Sequence, residues 1–232
     1  MAPALSIVIP CLNEAAGITT AVARLQPLRT RGVEIIVVDG ESTDGCAALA
    51  TPYADRVLIV PRGRAAQMNA GAAAARGDVL LFLHADSTLP VAADRLVFDG
   101  MAATGKQWGR FDVALDSPRL LLNIVAAMIN LRSRYSGIAT GDQGIFMTRT
   151  LFAALGGFPL LPLMEDIALS KLAKSATAPL CLRARIVTSA RRWEQHGVLR
   201  TIILMWRLRL AYFLGADAAR LALQYDTTRS RK

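Results

Sequence analysis

The sequence predicts an α/β fold built on a mostly parallel, Rossmann-like sheet flanked by helices. Two observations carry this. Short β-branched runs alternate with longer helical patterns through the first hundred residues, as strands linked by helical crossovers do. Polar residues suited to chemistry stand just after those runs, where an open α/β sheet places its ligand crevice.

The strands are LSIVIP (5–10), EIIVVD (34–39), RVLIV (56–60) and DVLLFL (78–83). Helices are expected near 14–25, 43–50 and 64–75, with another after Pro90. Asn13 and Ser42 suit N-caps, and Gly32 and Gly77 suit helix exits. The second half is less regular. It reads as extended WGRFDVAL (108–115), an apolar helix near 118–131, a short GIFMT strand (144–148), a helix beginning near Glu165 and a strand near 181–187. A long helix near 198–214 and a shorter one near 217–225 form the tail.

The chain of 232 residues can bury a substantial core within one domain. Its 27 Lys and Arg against 18 acidic residues give a net charge of +9, which points to an anionic partner. The basic residues do not interleave with aromatics in a nucleic-acid module, so no nucleic acid is expected. Cys11, Cys46 and Cys181 are odd in number and lack metal-ligand spacing, so neither a disulfide framework nor a zinc site is indicated and a reduced cytosol fits. No secretory signal is read at the N-terminus. Polar residues interrupt the apolar stretches 119–131 and 198–214, which fall short of a membrane span.

Four stretches could carry chemistry. VVDGESTDG (37–45) sets Asp39 at a strand end before a turn, although Ser42, Thr43 and Asp44 would equally suit a helix start. GRAAQMNAG (63–71) brings Arg64 and Asn69 on a helix of mostly small residues, with Arg62 and Arg64 placed to face phosphate at its N-terminus. In FLHADSTLP, His84 and Asp86 at i, i+2 on extended backbone point to one side, able to address one divalent ion or one diphosphate. Glu165 and Asp166, adjacent at a helix start, diverge by about 100°, so one faces a site while the other caps or pairs. A carboxylate there can serve as a general base.

In order along the chain, IPCLNEA (9–15), VVDGESTDG, GRAAQMNAG, LFLHADSTLP, GIATGDQGIF (137–146), GGFP (156–159) and PLMEDIALS (162–170) resemble the inverting family-2 glycosyltransferases. The resemblance implies a glycosyltransferase-A fold. With ARRWEQHGVLRTIILMWRLRLAYFLG (190–215), the set looks like a small subgroup associated with radical-SAM, selenium or arsenosugar pathways.

The resemblance implies a nucleotide-diphosphate sugar as donor, a small-molecule acceptor and a divalent metal, manganese or magnesium. It implies that Pro10, Asn13, Glu14 and Asp39 hold the nucleoside and that Arg64 and Asn69 lie near base and phosphates. Asp86 matches the last acid of the family's metal motif, with Ala85 before it and His84 where most members have the first Asp. Asp166 matches the catalytic base, with Glu165 beside it; Gly141, Asp142 and Gln143 match the sugar and acceptor side. Arg192, Trp193 and His196 fall where some members place a C-terminal segment, Arg192 and His196 against the diphosphate and Trp193 on the acceptor side. Gly40 stands where many members have a second Asp after Asp39.

The implied organisation is a catalytic domain over 1–190, divided into a nucleotide-binding half (1–105) and an acceptor half (106–190), then a helical extension over 191–232. Two other readings stay open. One is a glycosyltransferase at the inner face of a membrane with a lipid-phosphate acceptor, suggested by the basic amphipathic stretch 201–225; the same stretch equally suits packing on its own domain or a homodimer. The other is a nucleotide-binding protein without turnover.

Overall fold

The computed structural model describes residues 4–230. Strands β1 (Leu5–Cys11), β2 (Glu34–Asp39), β3 (Arg56–Ile59), β4 (Val79–Phe82), β5 (Ser87–Thr88), β6 (Trp108–Asp116), β7 (Phe146–Thr148) and β8 (Leu180–Ser189) form one sheet in the order β3-β2-β1-β4-β7-β6-β8-β5. The pairs β1–β2, β2–β3, β1–β4 and β6–β8 are parallel. The pairs β4–β7, β6–β7 and β5–β8 are antiparallel.

Helices on both faces explain why β1, β2 and β4 read as unbroken apolar runs. Ile7, Ile9, Ile35, Val37 and Leu81 pack on one face with Ile18 and Val22 of α1 (Ala15–Ala23) and Val97 of α5 (Ala93–Thr104). Val8, Ile36, Val38, Leu80 and Phe82 pack on the other with Ala65, Met68 and Ala72 of α4 (Arg64–Ala74). The small residues of α4 let it lie directly on the sheet: a Cβ at Gly71 would come 2.3 Å from Val8 Cγ1. At the edge remote from the strand C-termini, buried Glu34 accepts from Ser6 Oγ (2.6 Å), Arg76 N (2.8 Å) and Arg76 Nε (2.9 Å). Burial pushes this carboxyl up, but those three donors outweigh it and hold it below its ordinary value.

Several local expectations are corrected. The helix foreseen over 14–25 ends at Ala23, and a short α2 (Gln26–Arg29) follows before Gly32 turns the chain at φ 90°. Asn13 and Ser42 cap no helix: Glu14 is the N-cap of α1, and α3 (Cys46–Ala50) starts after Gly45. Gly77 is required by close approach, since a Cβ there would meet Ser6 N at 2.6 Å. The two-residue β5 and the helices α7 (Arg149–Ala154) and α9 (Arg191–His196) are additional to the expected elements.

The tail continues as α10 (Val198–Phe213) and α11 (Ala218–Ser230). Leu204, Leu208 and Ala211 of α10 pack with Ile138, Leu163 and Ile167. Val198 and Ile202 pack with Leu122, Val125 and Ala126 of α6 (Leu120–Ser136). Packing on its own chain, one of the expected uses of this stretch, therefore accounts for one side of α10. Leu199, Ile203, Trp206, Leu210 and Phe213, at i, i+4, i+7 spacing, face outward, as do Leu120, Ile124, Met128, Leu131 and Tyr135 of α6. No helix among the described residues is long and apolar enough to cross a membrane.

Candidate active site

Beyond the C-terminal ends of the central strands lies a cleft of about 250 Å³, open mouth included, lined by Arg64, Met68, Phe82, His84, Gly141, Ile145, Phe158, Glu165 and Asp166. Its acidic side is made by α8 (Glu165–Ala176), which begins abruptly after Met164, a non-glycine residue at φ 68°. That turn delivers Glu165 and Asp166 as the first two helical residues, where the helix dipole favours negative charge.

Glu165 is buried and pairs with Arg64, the first residue of α4 (Nη1–Oε1 3.3 Å). Burial first, then the Asp166 charge, push the Glu165 carboxyl up, with Arg64 opposing. Asp166 accepts from Gly141 N (2.8 Å) and, through its other oxygen, from Ile167 N (2.7 Å). The divergence expected of adjacent helical carboxylates is thus used to hold two different partners at one cleft. Gly141 opens a 3-10 turn, Gly141–Gln143, locked by Thr140 N donating to buried Gln143 Oε1 at 3.2 Å. Beside it Asp142 Oδ1 is buried without a hydrogen-bond partner.

His84 reaches the same place by a route other than the one expected. Strand β4 ends at Phe82, and residues 84–87 form a turn closed by Ser87 N donating to His84 O (3.0 Å). The extended i, i+2 geometry is therefore absent, and both residues lie on the turn. Burial first, then Arg64, push the His84 imidazole down, against Asp86, Asp142 and Asp166. A neutral imidazole results, and Gly141 makes room for it: a Cβ there would lie 2.4 Å from His84 Nε2. Asp86 is exposed on the turn.

The residues that the resemblance assigns to the nucleoside form a second, contiguous group. Asp39 is buried and accepts from Ser42 N (2.9 Å) and Ser42 Oγ. Ser42 Oγ in turn accepts from Asn13 N (2.8 Å), and Asn13 Oδ1 accepts from Thr43 N (3.0 Å). These bonds tie the β1 and β2 end loops together, with Pro10 near the end of β1 and Glu14 on the loop that follows it. Gln67, which sequence reasoning missed, donates from Nε2 to Cys11 O and Val38 O, both at 2.8 Å. It also explains Gly40, where a Cβ would sit 3.0 Å from Gln67 Nε2. The available signal was a polar residue on the sheet-facing stripe of α4, four positions before Gly71.

The remaining positions divide. Asn69 spends its amide on Phe158, donating to O at 2.9 Å and accepting from N at 2.8 Å, and so clamps the GGFP loop to α4. Ala85 lies in the turn between His84 and Asp86. Trp193 packs with the β6–α6 cluster, and neither it nor His196 is among the cleft-lining residues. The Arg192 side chain lies outside the described residues.

Cys11 and Cys46, distant in sequence, meet at 3.4 Å and with Asp39 place donors within 4.8 Å of one another. Burial pushes both thiols up, and a neutral thiol is a poor metal ligand. Two residues beyond the cleft-lining His84, the exposed Asp86 carboxylate suits manganese or magnesium, ions that keep positions for substrate phosphates, and a neutral imidazole suits manganese better than magnesium. The donor chemistry therefore fits such an ion, which Asp86 and His84 would hold together with substrate oxygens.

Residues 6–145 match the glycosyl transferase family 2 domain. The chain belongs to that family. A PGL/p-HBAD biosynthesis glycosyltransferase of Mycobacterium bovis is 32% identical over 185 residues, covering 68% of this chain and 64% of that protein. The succinoglycan biosynthesis protein ExoA of Rhizobium meliloti is 37% identical over 106 residues, covering 41% of this chain and 32% of its own length. The chain thus spans less than two thirds of these curated relatives. Among solved structures, TarS residues 1–349 of S. aureus, in complex with UDP-GlcNAc, superposes with a TM-score of 0.65 at 17% identity over 80% of this chain and 58% of that one. The mannosyltransferase PcManGT of Pyrobaculum calidifontis, in complex with GDP-Man and Mn2+, gives 0.62 at 20% identity over 91% and 61%. The fold is the glycosyltransferase-A type that the sequence predicts.

Proposed function

We propose that the protein is an inverting glycosyltransferase that moves a sugar from a nucleotide-diphosphate donor to a small-molecule acceptor, with Asp166 as general base. The observation that carries this is the shared cleft: Asp166, fixed by Gly141, lies with Glu165-paired Arg64 and His84 in one opening beyond the strand ends. Family membership and the nucleotide-sugar complexes of the structural neighbours support the donor class. In this reading residues 1–190 are the catalytic domain and 191–232 its helical extension, and the subgroup associated with radical-SAM, selenium or arsenosugar pathways remains the proposed placement.

The acceptor hydroxyl oxygen attacks the anomeric carbon as the bond to the diphosphate oxygen breaks on the opposite face, which inverts the centre. Its proton passes to a free lone pair of Asp166, both of whose oxygens already take one N–H each. The nucleoside diphosphate leaves with the negative charge, which Arg64, lining the same cleft, is available to neutralise. Manganese or magnesium, when held by Asp86 and His84, supplies further neutralisation of that charge. The test is release of nucleoside diphosphate from a panel of nucleotide sugars, with and without manganese, in wild type, Asp86→Ala and Asp166→Asn. Equal rates in all three would remove this site assignment.

A second reading places the reaction at the inner face of an anionic membrane, with a lipid-phosphate acceptor. Its support is the outward apolar stripes on α6 and α10, where Tyr135 and Trp206 are 84% and 69% exposed. Neither helix carries an acidic residue, whereas α6 has the exposed Arg134 and α10 the exposed Arg200 and Arg207. Apolar stripes bordered by arginine match an anionic interface. Salt-sensitive co-sedimentation with anionic vesicles is the expected result; a dimer in solution with no vesicle binding would assign the stripes to a second copy. The cysteines, none in a disulfide, fit a cytoplasmic location.

A further inference from the structure

Arg132 of α6 and Arg209 of α10 are anomalous. Nε and Nη2 of Arg132 and Nε of Arg209 are sealed from solvent with no hydrogen-bond partner. Neither joins an ion pair among the described residues. Their other guanidinium nitrogens are not among the sealed atoms and carry no hydrogen bond, so they reach open space. Arg110, also close to Arg132, has a sealed and unpartnered Nε as well, but its two Nη atoms donate to Asp112 and Asn130 O, which pair its charge. A fold that holds two like charges partly desolvated and unpaired loses stability, unless an anion supplies the missing partner.

The position of the pair indicates which anion. After burial, the Arg209 charge does most to push Arg132 down, to about 10, and Asp142 and Asp166 oppose it. Asp166 is also, after burial, the charge that pushes Tyr212 up. On the other side, His84 is influenced by Arg64, Asp86, Asp142 and Asp166. Asp166, which lines the cleft with Arg64 and His84, is thus also near Arg132 and Tyr212, and Arg209 is near Arg132; Leu208 and Tyr212 of α10 pack with Ile167, the residue after Asp166.

We propose that Arg132 and Arg209 form an anion-binding subsite beside Asp166, and that it takes a phosphate monoester carried by the acceptor. The inference rests on the glycosyl-transfer reading. A dianionic phosphate balances two guanidinium charges, whereas a single carboxylate leaves one unmatched, and both side chains offer planar forks to oxyanions. The same headgroup chemistry occurs free in solution or on a lipid.

The test uses the full chain with manganese and saturating UDP or GDP, titrated with glycerol phosphate, and separately with vesicles containing phosphatidic acid or only phosphatidylcholine. Phosphate ester should bind wild type without displacing nucleotide, and Arg132→Gln or Arg209→Gln should each weaken it at least tenfold with nucleotide affinity within threefold. Arg132→Lys, which keeps charge and loses the fork, should fall between. Because a stranded charge is removed, the Gln variants should melt no lower than wild type. Displacement by nucleotide would move the arginines to the donor; unchanged phosphate affinity in the variants, or Gln variants melting well below wild type, would overturn the subsite. Arginine-dependent binding of phosphatidic-acid vesicles without binding of the free ester would support the subsite with a lipid source. Failure of all nucleotides to bind sinks the glycosyl-transfer reading instead, and the phosphate arm, repeated without nucleotide, still reports on the arginines.

Discussion

Asp166→Asn isolates proton acceptance from shape. In the wild type both carboxylate oxygens accept backbone N–H groups, from Gly141 at 2.8 Å and Ile167 at 2.7 Å. Asparagine has one oxygen, so one N–H meets an amide NH2 and a hydrogen bond is lost, at a cost of about 1–3 kcal/mol. Opposing this, the Asp166 charge raises Glu165, and neutralising it relieves that repulsion. The two effects offset, so the melting temperature should move by only a few degrees. Catalysis has no such compensation. Loss of the general base should lower kcat by ~10²–10⁴-fold, a rise of about 3–5 kcal/mol in the barrier. The assay is manganese-dependent nucleoside diphosphate release with water as acceptor, beside nucleotide affinity by thermal shift. A variant that keeps kcat within tenfold of wild type, or loses nucleotide binding together with turnover, would refute the assignment.

Gly141→Ala should act through His84: with a Cβ 2.4 Å from Nε2 the imidazole must retreat, by about 1 Å, a misplacement that costs on the order of 10²-fold in rate. Activity within threefold of wild type would show that the position of His84 is immaterial. Gly71→Ala should destabilise by about 1–3 kcal/mol in urea unfolding through overpacking, because its Cβ would meet Val8 Cγ1 at 2.3 Å and Val38 Cγ2 at 2.9 Å; unchanged stability would contradict the close seat of α4. Glu34 has a folded pKa below its ordinary 4.5, so its stabilisation is present above that pH and lost as pH falls through the folded value. Acid unfolding of Glu34→Gln should therefore be shallower than that of wild type below pH 4.5, and parallel curves would count against the Ser6–Glu34–Arg76 anchor.

Much of the site could be read from the chain because its residues occupy strand ends and helix starts, positions that local pattern fixes. Asp39, Arg64 and Glu165–Asp166 belong to this group, and the apolar runs before them show which way each points. The capping roles given to Asn13 and Ser42 failed for a reason outside local pattern: each found a better partner on the other's loop. His84 and Asp86 lie on a turn rather than on the extended backbone that strand alternation implied. Gly40 looked like a lost acid until Gln67, 27 positions later in sequence, proved to occupy the space. Arg132 and Arg209 gave no sequence signal, because each sits among apolar helical neighbours like many a solvated arginine.

By itself, then, the sequence determined the α/β class, the strands and the order of motifs along one rim, since apolar periodicity and chain order dictate what a sheet edge can present. Tertiary structure alone decided which polar atoms are satisfied. It tied Glu165 to Arg64 and Asp166 to Gly141, filled the space at Gly40, turned one stripe of α10 outward and left two guanidiniums without partners. The physical reason is that hydrogen bonding and desolvation depend on neighbours brought together only when distant segments pack.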